Sequence, residues 1–270
     1  MAILTNPSEG FLIVNTKNTL TEFSLVQLDE VVKRFGDLTV IDSITLHAKK
    51  GEFISLVGPS GCGKSTLLKI ISGLYKVDSG SVIIDGMAPK DAREEMAFIF
   101  QDANLLPWKR VAANAELPMK LRGIAKDRRD KTVGSMLELV NLTQAARHFP
   151  WQLSGGMRMR VSIARALTLA PRVLLLDEPF GALDEMTRDQ LNEDLLRIHA
   201  RDQWTAFFVT HSAAEAVFLS SKVVVLAANP GRISEVIDID LPPDRTSELR
   251  ESQAYLNYVA QVSHAIRTVH

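Results

Sequence analysis

Nine consecutive residues constrain the fold of this chain more than any other feature. Residues 58–66 read Gly-Pro-Ser-Gly-Cys-Gly-Lys-Ser-Thr and match the pattern G-x-x-x-x-G-K-[ST]. The glycines let successive backbone N–H groups face phosphate oxygens, and a following helix adds the positive end of its dipole. An apolar run at 53–57 precedes the loop, and a helix is predicted at 64–72. The candidate nucleotide contacts are Gly58, Pro59, Ser60, Gly61, Cys62, Gly63, Lys64, Ser65 and Thr66.

A second apolar run, 173–176, ends in Asp177 and Glu178. Alone, this pattern is equally typical of a turn at the end of a strand. Beside a phosphate loop it predicts a magnesium site, in which Ser65 is a direct ligand and Asp177 acts through a water molecule. Glu178 is then the candidate catalytic carboxylate that polarises an attacking water. These motifs predict a Mg²⁺-dependent nucleoside triphosphatase, a description that also covers kinases, GTPases and helicases.

Short apolar runs alternate with helical patterns along the chain, which predicts an α/β fold with an open, mainly parallel sheet. No strand pattern is present at about 103–161, so we expect a helical insertion there. The predicted strands are 25–32, 53–57, 81–84, 96–100, 173–176, 205–209 and 223–226. The predicted helices are 64–72, 131–140, 157–169, 186–200 and 213–219.

The two ends of the chain differ from this central pattern. Residues 1–23 carry no clear period, although 11–14 could form a short strand. After Pro242 and Pro243, apolar residues recur at helical spacing, which favours a helix docked on the protein's own surface over a partner-binding helix. We therefore predict an extension at 1–23, an ATPase domain at 24–241 and a helical tail at 242–270.

Composition excludes several classes of protein. The formal net charge of −1 lacks the basic excess typical of nucleic-acid binding. The single cysteine, Cys62, excludes an internal disulfide framework, and no apolar run is long enough to span a bilayer. We expect a protein of the cytoplasm whose contact with a membrane comes through partners.

A Ser-Gly-Gly turn at 154–156 leads into a predicted helix. By itself such a turn is most often a helix cap, although it also offers a second anion site. Gln101 follows one predicted strand, His211 follows another, and Gly-Ala-Leu-Asp at 181–184 follows Glu178. Together with the phosphate loop, these motifs resemble an ABC-transporter ATPase subunit over roughly residues 25–240.

The resemblance implies a P-loop NTPase (RecA-like) core with a β-rich N-terminal subdomain and an inserted helical subdomain. It also implies ATP as the nucleotide and three further roles in the same subunit. Phe35 would stack on the adenine, although a core aromatic is the alternative reading. Gln101 would contact Mg²⁺ or the lytic water, and His211 would hydrogen-bond the γ-phosphate.

A second ATPase subunit, most simply an identical one, is implied as well. In the family, residues of one subunit complete the nucleotide-binding site of the other subunit. The residues that would act in trans are Ser154, Gly155, Gly156 and Asp184.

Residues 101–108, 177–184 and 229–233 resemble the nitrate/sulfonate/taurine importer branch. That branch implies two permease subunits in the membrane, a solute-binding protein that acts with them, and no nucleic acid. The ATPase would be peripheral on the cytoplasmic side of the inner membrane. Nitrate, alkanesulfonates, bicarbonate and pyrimidine precursors all stay open as substrates. The alternative is an ABC-type ATPase without a membrane partner.

Two side chains carry more specific expectations. Trp108, after Leu-Leu-Pro, is predicted to line a groove for a permease helix, with a packed turn as the alternative. The Cys62 thiol lies in the phosphate loop, so we expect thiol reagents to reach it in the nucleotide-free protein and ATP to protect it.

Overall fold

The structure is a computed structural model that describes residues 24–269. The predicted extension at 1–23, with its short strand at 11–14, lies outside the described residues. Within the described range there are nine strands and seven α-helices. The strands are β1 Ser24–Phe35, β2 Leu38–Lys49, β3 Phe53–Val57, β4 Ser79–Ile84, β5 Met96–Ile99, β6 Val173–Asp177, β7 Thr205–Val209, β8 Lys222–Ala227 and β9 Arg232–Asp238. The helices are α1 Lys64–Ile71, α2 Val111–Leu121, α3 Lys126–Leu139, α4 Gly155–Leu167, α5 Glu185–Asp202, α6 Ala213–Leu219 and α7 Gln253–Thr268.

A six-stranded sheet in the order β5-β6-β7-β3-β8-β9 forms the centre of the molecule. Its strands are parallel except for β9, which pairs antiparallel with β8. Every residue of β3 and β7 is buried, as expected for strands covered by helices on both faces. The predicted α/β class with a mainly parallel sheet is confirmed.

Parallel pairing brings the carboxyl ends of several strands to one edge of this sheet. The phosphate loop follows β3, Asp177 ends β6, His211 comes shortly after β7, and Gln101 comes shortly after β5. Ligands of open parallel sheets bind beyond this edge. The strand order therefore collects the predicted site residues in one region.

A smaller antiparallel sheet, β2-β1-β4, packs beside the central one and accounts for the β-rich N-terminal part. Strands β2 and β9 are not among the strands predicted from the sequence. In β2 buried and exposed residues alternate around polar side chains, and in β9 only Ile237 is buried. Such half-buried strands lack the continuous apolar run that marks the central ones.

Between β5 and β6 the described chain is helical, with α2, α3 and α4 joined by turns. Asn114 holds the segment before α2, because its side-chain amide donates to the carbonyls of Leu106 and Lys109, and its Oδ1 accepts from the Leu106 N–H. This segment has the helical character predicted for 103–161, whereas its limits as a subdomain stay a prediction.

Helix α7 packs on α6. Tyr255 and Val262 are buried, the Tyr255 hydroxyl donates to the Ala214 carbonyl at 2.9 Å, and its ring meets Phe218 edge-on. The prediction of a helix docked on the protein's own surface is therefore confirmed. Among residues 24–269, no helix combines the length and apolar character needed to cross a membrane.

Candidate functional site

The phosphate loop requires glycine at two of its positions. Gly58 has φ +146° and Gly63 has φ +94°, a region that other residues rarely adopt. A Cβ on Gly58 would lie 2.3 Å from the Leu226 carbonyl oxygen, and one on Gly63 would lie 2.4 Å from Cδ1 of Ile41. The loop can hold this shape only because neither residue has a side chain.

Lys64 begins α1 and is only 5% exposed. Its ammonium donates to the carbonyl oxygens of Gly58 at 2.9 Å and Pro59 at 2.8 Å. A buried ammonium needs such partners, and the oxygens of a phosphate would offer stronger, charged ones. The side chain is thus held in the loop that a phosphate would enter.

The Ser65 hydroxyl donates to Oδ1 of Asp177 at 2.8 Å. Burial raises the pKa of the Asp177 carboxyl, and the hydrogen bond from Ser65 opposes that shift. Two oxygen ligands side by side, next to a phosphate loop, suit Mg²⁺, which prefers hard oxygen donors and keeps several waters. The predicted metal ligands Ser65 and Asp177 are therefore adjacent and fit the ion.

Glu178 lies between two clefts. A cleft of about 270 Å³ is lined by the phosphate loop together with Glu178 and His211, and a cleft of about 290 Å³ is lined by Gln101, Glu178 and His211. Nε2 of His211 is 2.8 Å from Oε1 of Glu178. The structure thus brings Glu178 and His211 beside Lys64, and places Gln101 in the adjoining cleft that the same two residues line.

The backbone at Glu178 is strained. Its φ is +49°, a left-handed conformation that is costly for a residue with a side chain. The Glu178 N–H donates to the Val209 carbonyl at 3.1 Å, and the Glu178 carbonyl accepts from the Gly181 N–H at 3.1 Å. These bonds fix the carboxylate at the edge of the sheet.

Phe35 ends β1 and is 44% exposed, so the alternative of a core aromatic is wrong. Its ring meets Tyr75 edge-on at 5.4 Å between centroids, and the Lys33 ammonium lies 5.2 Å from its centroid. An exposed ring fixed by two neighbours is suited to stacking. Its role against adenine stays a prediction.

Ser154 and Asp184 both cap helices. Oγ of Ser154 accepts from the Met157 N–H at 3.2 Å at the start of α4, and Asp184 accepts from the Thr187 N–H at 3.0 Å at the start of α5. That hydrogen bond from Thr187 lowers the pKa of Asp184. The helix-cap reading is therefore confirmed, and the anion-site reading stays open because both side chains are exposed.

Gly155 and Gly156 lie where α4 meets the start of α5. A Cβ on Gly156 would be 2.5 Å from Cγ2 of Thr187, and one on Gly155 would be 3.1 Å from Cδ2 of Leu183. A cleft of about 470 Å³ there is lined by Ser154, Gly156 and Thr187 among others, and it shares no residue with the phosphate-loop cleft. Ser154 and Gly156 thus line a cleft separate from the phosphate loop, and Gly155 and Asp184 are their neighbours at the starts of α4 and α5.

The structure corrects the expectation for Cys62 and excludes one of the two readings of Trp108, while the permease contact stays a prediction. Cys62 is fully buried, and its Sγ lies 3.6 Å from the Lys64 ammonium. It is therefore part of the packing beneath the loop and is inaccessible to a reagent, so the predicted alkylation of the nucleotide-free protein is wrong. Trp108 is 71% exposed, which excludes a residue packed inside a turn.

Sequence reasoning missed residues that hold the catalytic loops. Arg165 on α4 donates to the carbonyls of Ala103 and Asn104, just after Gln101, and burial lowers the pKa of its guanidinium. Thr210 bonds Glu215 and accepts from the Ser212 N–H, which shapes the turn around His211. An arginine or a threonine gives no sequence signal for such a role, because its partners are distant in the chain or are backbone atoms.

The ABC transporter family matches residues 41–181, which is more than half of the chain and includes the phosphate loop, Gln101, the 154–156 turn and Glu178. The chain belongs to the ABC transporter family. An uncharacterized ABC transporter ATP-binding protein of Methanocaldococcus jannaschii is 46% identical to it over 209 residues, covering 77% of this chain and 78% of that protein. The aliphatic sulfonates import ATP-binding protein of Bacillus cereus is 43% identical over 240 residues, with 87% and 94% covered.

Solved structures of ABC ATPases show the same fold. The ATP-binding cassette solved as a dimer in a post-hydrolysis state with ADP and Pi matches with a TM-score of 0.71 at 32% identity, covering 80% of this chain and all of that one. The cbiO1 protein of Clostridium perfringens matches with a TM-score of 0.76 at 22% identity, covering 90% and 99%, and so supports the fold alone. This ABC protein is an ATP-binding and ATP-hydrolysing subunit, in the branch predicted from its sequence. Family membership thereby excludes the kinases, GTPases and helicases that share the phosphate-loop motifs.

Proposed function

We propose that this subunit powers the uptake of a small solute such as a sulfonate, taurine or nitrate through a membrane permease. The observation that carries the proposal is that Glu178 and His211 share one cleft with Lys64 and the next cleft with Gln101. The chain is also similar to an aliphatic sulfonates import ATP-binding protein. An ABC-type ATPase without a membrane partner is the less favoured alternative, because no feature of the described residues supports it.

The chemistry is divided among residues of this chain. Lys64 and the loop amides hold the phosphates, and Phe35 stacks on the adenine. Glu178 orients the attacking water and accepts its proton, while His211 hydrogen-bonds the γ-phosphate. Ser65 and Gln101, with Asp177 acting through a water molecule, would hold Mg²⁺, and the bound ion would supply positive charge to the phosphates.

A second copy of the chain completes each site. Ser154 and Gly156 line a cleft that is separate from the phosphate loop of the same chain, with Gly155 and Asp184 at the adjoining helix starts. These four residues would therefore meet the nucleotide of the partner. Exposed hydroxyl, amide and helix-start groups suit a phosphate. The solved dimer of a related ATP-binding cassette with ADP and Pi supports this arrangement.

The membrane partners are two permease subunits, with a solute-binding protein acting on their outer side. The subunit would be peripheral on the cytoplasmic face of the inner membrane. Trp108 and Trp151 are 71% and 72% exposed, and Trp151 stacks on Phe149 at 5.8 Å. Exposed aromatic residues of this kind mark protein interfaces, and these suit a permease helix.

Uptake by a reconstituted complex tests the proposal. The subunit would be purified together with its permease and placed in proteoliposomes with the binding protein. The vesicles would then be supplied with labelled taurine, hexane-1-sulfonate or nitrate. Uptake of one of these that requires internal ATP and fails with Lys64→Ala is expected. A subunit that does not bind the permease and hydrolyses ATP unchanged in its presence would favour the alternative.

A further inference from the structure

A cleft of about 640 Å³ lies away from the nucleotide residues. It is lined by α2 and α3 of the helical insertion, by residues 167–171 at the end of α4, and by the end of α5 with Trp204. It shares no residue with the phosphate-loop cleft or with the 154–156 cleft. Its volume is in the range of small-molecule sites.

One wall of this cleft is apolar. Met119 and Leu167 are buried, Trp204 is only 2% exposed, and Ile124 and Met136 are half-buried. These side chains come from separate elements, so the wall is part of the packed interior and is held in place. The half-buried Ile124 and Met136 leave apolar surface over these buried side chains, and such surface can take up the apolar portion of a ligand.

The rim of the cleft carries three arginines and one aspartate. Arg201 is paired with Asp202 through two contacts at 2.6 and 2.8 Å. Arg122 donates to the Glu94 carbonyl at 3.1 Å and lies 3.7 Å from the Glu94 carboxylate. Arg128 is exposed and forms no ion pair with any residue in 24–269. The rim therefore holds more positive charge than its own acidic residues balance.

The carboxyl ends of two helices oppose the positive charge of the arginines at this cleft. Helices α4 and α5 both end at this cleft, and the carboxyl end of a helix carries a partial negative charge of about half a unit. An anion must therefore be held by the arginines, which are full charges and offer forked donors. The amino ends of the same helices follow Ser154 and Asp184, two of the residues predicted to act in trans. A ligand in this cleft would therefore contact the two helices that carry those residues.

We infer that this cleft binds a small organic anion with an apolar chain, such as an alkyl sulfonate or carboxylate. The apolar wall takes the chain, and Arg128 with Arg122 takes the anionic group. The site is distinct from the nucleotide site and does not depend on which solute is transported.

Calorimetric titration of the full-length protein with hexane-1-sulfonate tests the inference. Saturable binding to one site is expected, whereas sulfate, which lacks the chain, and hexan-1-ol, which lacks the charge, should bind far more weakly. Arg128→Ala should weaken binding about fivefold, the upper worth of an exposed ion pair. Thr132→Glu, which adds a negative charge to the lining, should weaken it further.

Control variants locate the site. Arg147→Ala, an exposed arginine outside the cleft, and Lys64→Ala, in the phosphate loop, should leave hexane-1-sulfonate binding unchanged. In a Trp108→Phe, Trp151→Phe background, Trp204 fluorescence should shift with the same saturation curve. Absence of saturable heat, equal binding by Arg128→Ala, or loss of binding in Lys64→Ala would each overturn the inference.

Discussion

The imidazole of His211 and the carboxylate of Glu178 contact each other directly, with Nε2 of the histidine 2.8 Å from Oε1 of the glutamate. The two residues follow neighbouring parallel strands, since Asp177 pairs with Val209 in the sheet. Their side chains are 48% and 26% exposed, so both face the cleft beside Lys64. The contact orients the carboxylate that the proposed mechanism uses on water.

Replacing Glu178 with Gln should lower ATP turnover by roughly 10²–10⁴, the usual worth of a positioned acid–base group. The amide keeps the shape of the side chain but cannot accept a proton. Nucleotide binding should survive, because Lys64 and the loop amides hold the phosphates. Steady-state phosphate release measures the change, and turnover at the parent rate would contradict the role given to Glu178.

The same variant tests the residues predicted to act in trans. Unhydrolysed Mg-ATP should join two Glu178→Gln subunits through Ser154 and Gly156, so the protein should be a monomer without nucleotide and a dimer with it. Lys64→Ala is the control, and it should stay monomeric because it loses the charge partner of the phosphates. Size-exclusion chromatography with light scattering decides between the states. A Glu178→Gln protein that is monomeric at saturating Mg-ATP would refute the arrangement.

Two glycines of the phosphate loop form a matched pair. Gly61→Ala should cost about 1–2 kcal/mol of unfolding free energy, because its φ is +80° but the space around its Cβ position is open. Gly58→Ala should cost more, since its Cβ would also collide with the Leu226 carbonyl. Urea unfolding of the nucleotide-free proteins measures both values. Equal losses of unfolding free energy in the two variants would show that β8 shifts to make room for the added carbon on residue 58.

The central strands and the phosphate site could be predicted from sequence because their signals are local. Strands β3, β6 and β7 are mostly apolar and almost entirely buried, and the loop has a fixed spacing. Strands β2 and β9 escaped because each buries only part of its residues and exposes polar ones. These two segments become strands through their pairing with β1 and β8, and that pairing leaves no pattern in the segments themselves.

The direction in which a side chain points was the second feature that could not be predicted from the sequence. Cys62 was expected to be accessible to thiol reagents because it lies in the loop, yet its side chain is fully buried beside the turns at Gly58 and Gly63. Its Sγ would lie 3.1 Å from a Cβ on Gly58. Similarly, the pairing of Arg165 with carbonyls about sixty residues earlier depends on how α4 packs. The spacing of residues along the chain does not predict such contacts.

The buried position of Cys62 gives a corrected prediction. Alkylation by iodoacetamide should be slow in the native protein both without nucleotide and with Mg-ATP, because the reagent cannot reach a fully buried sulfur. In urea the same thiol should react at the rate of a free cysteine. Mass spectrometry follows the adduct over time. Rapid native labelling that ATP suppresses would instead restore the original expectation.

The last prediction concerns Trp108. Its 71% exposure and its place after Gln101 suggest that it contacts the permease and leaves the ATPase fold unaffected. Trp108→Ala should therefore reduce solute uptake by the reconstituted complex strongly, since truncation of an interface aromatic often costs about 2 kcal/mol or more. ATP turnover and thermal stability of the isolated subunit should hardly change. Val236→Ala, which shortens an exposed apolar residue on β9, is the matched control and should leave uptake intact. Equal losses of uptake and isolated ATPase activity in Trp108→Ala would identify a folding residue instead.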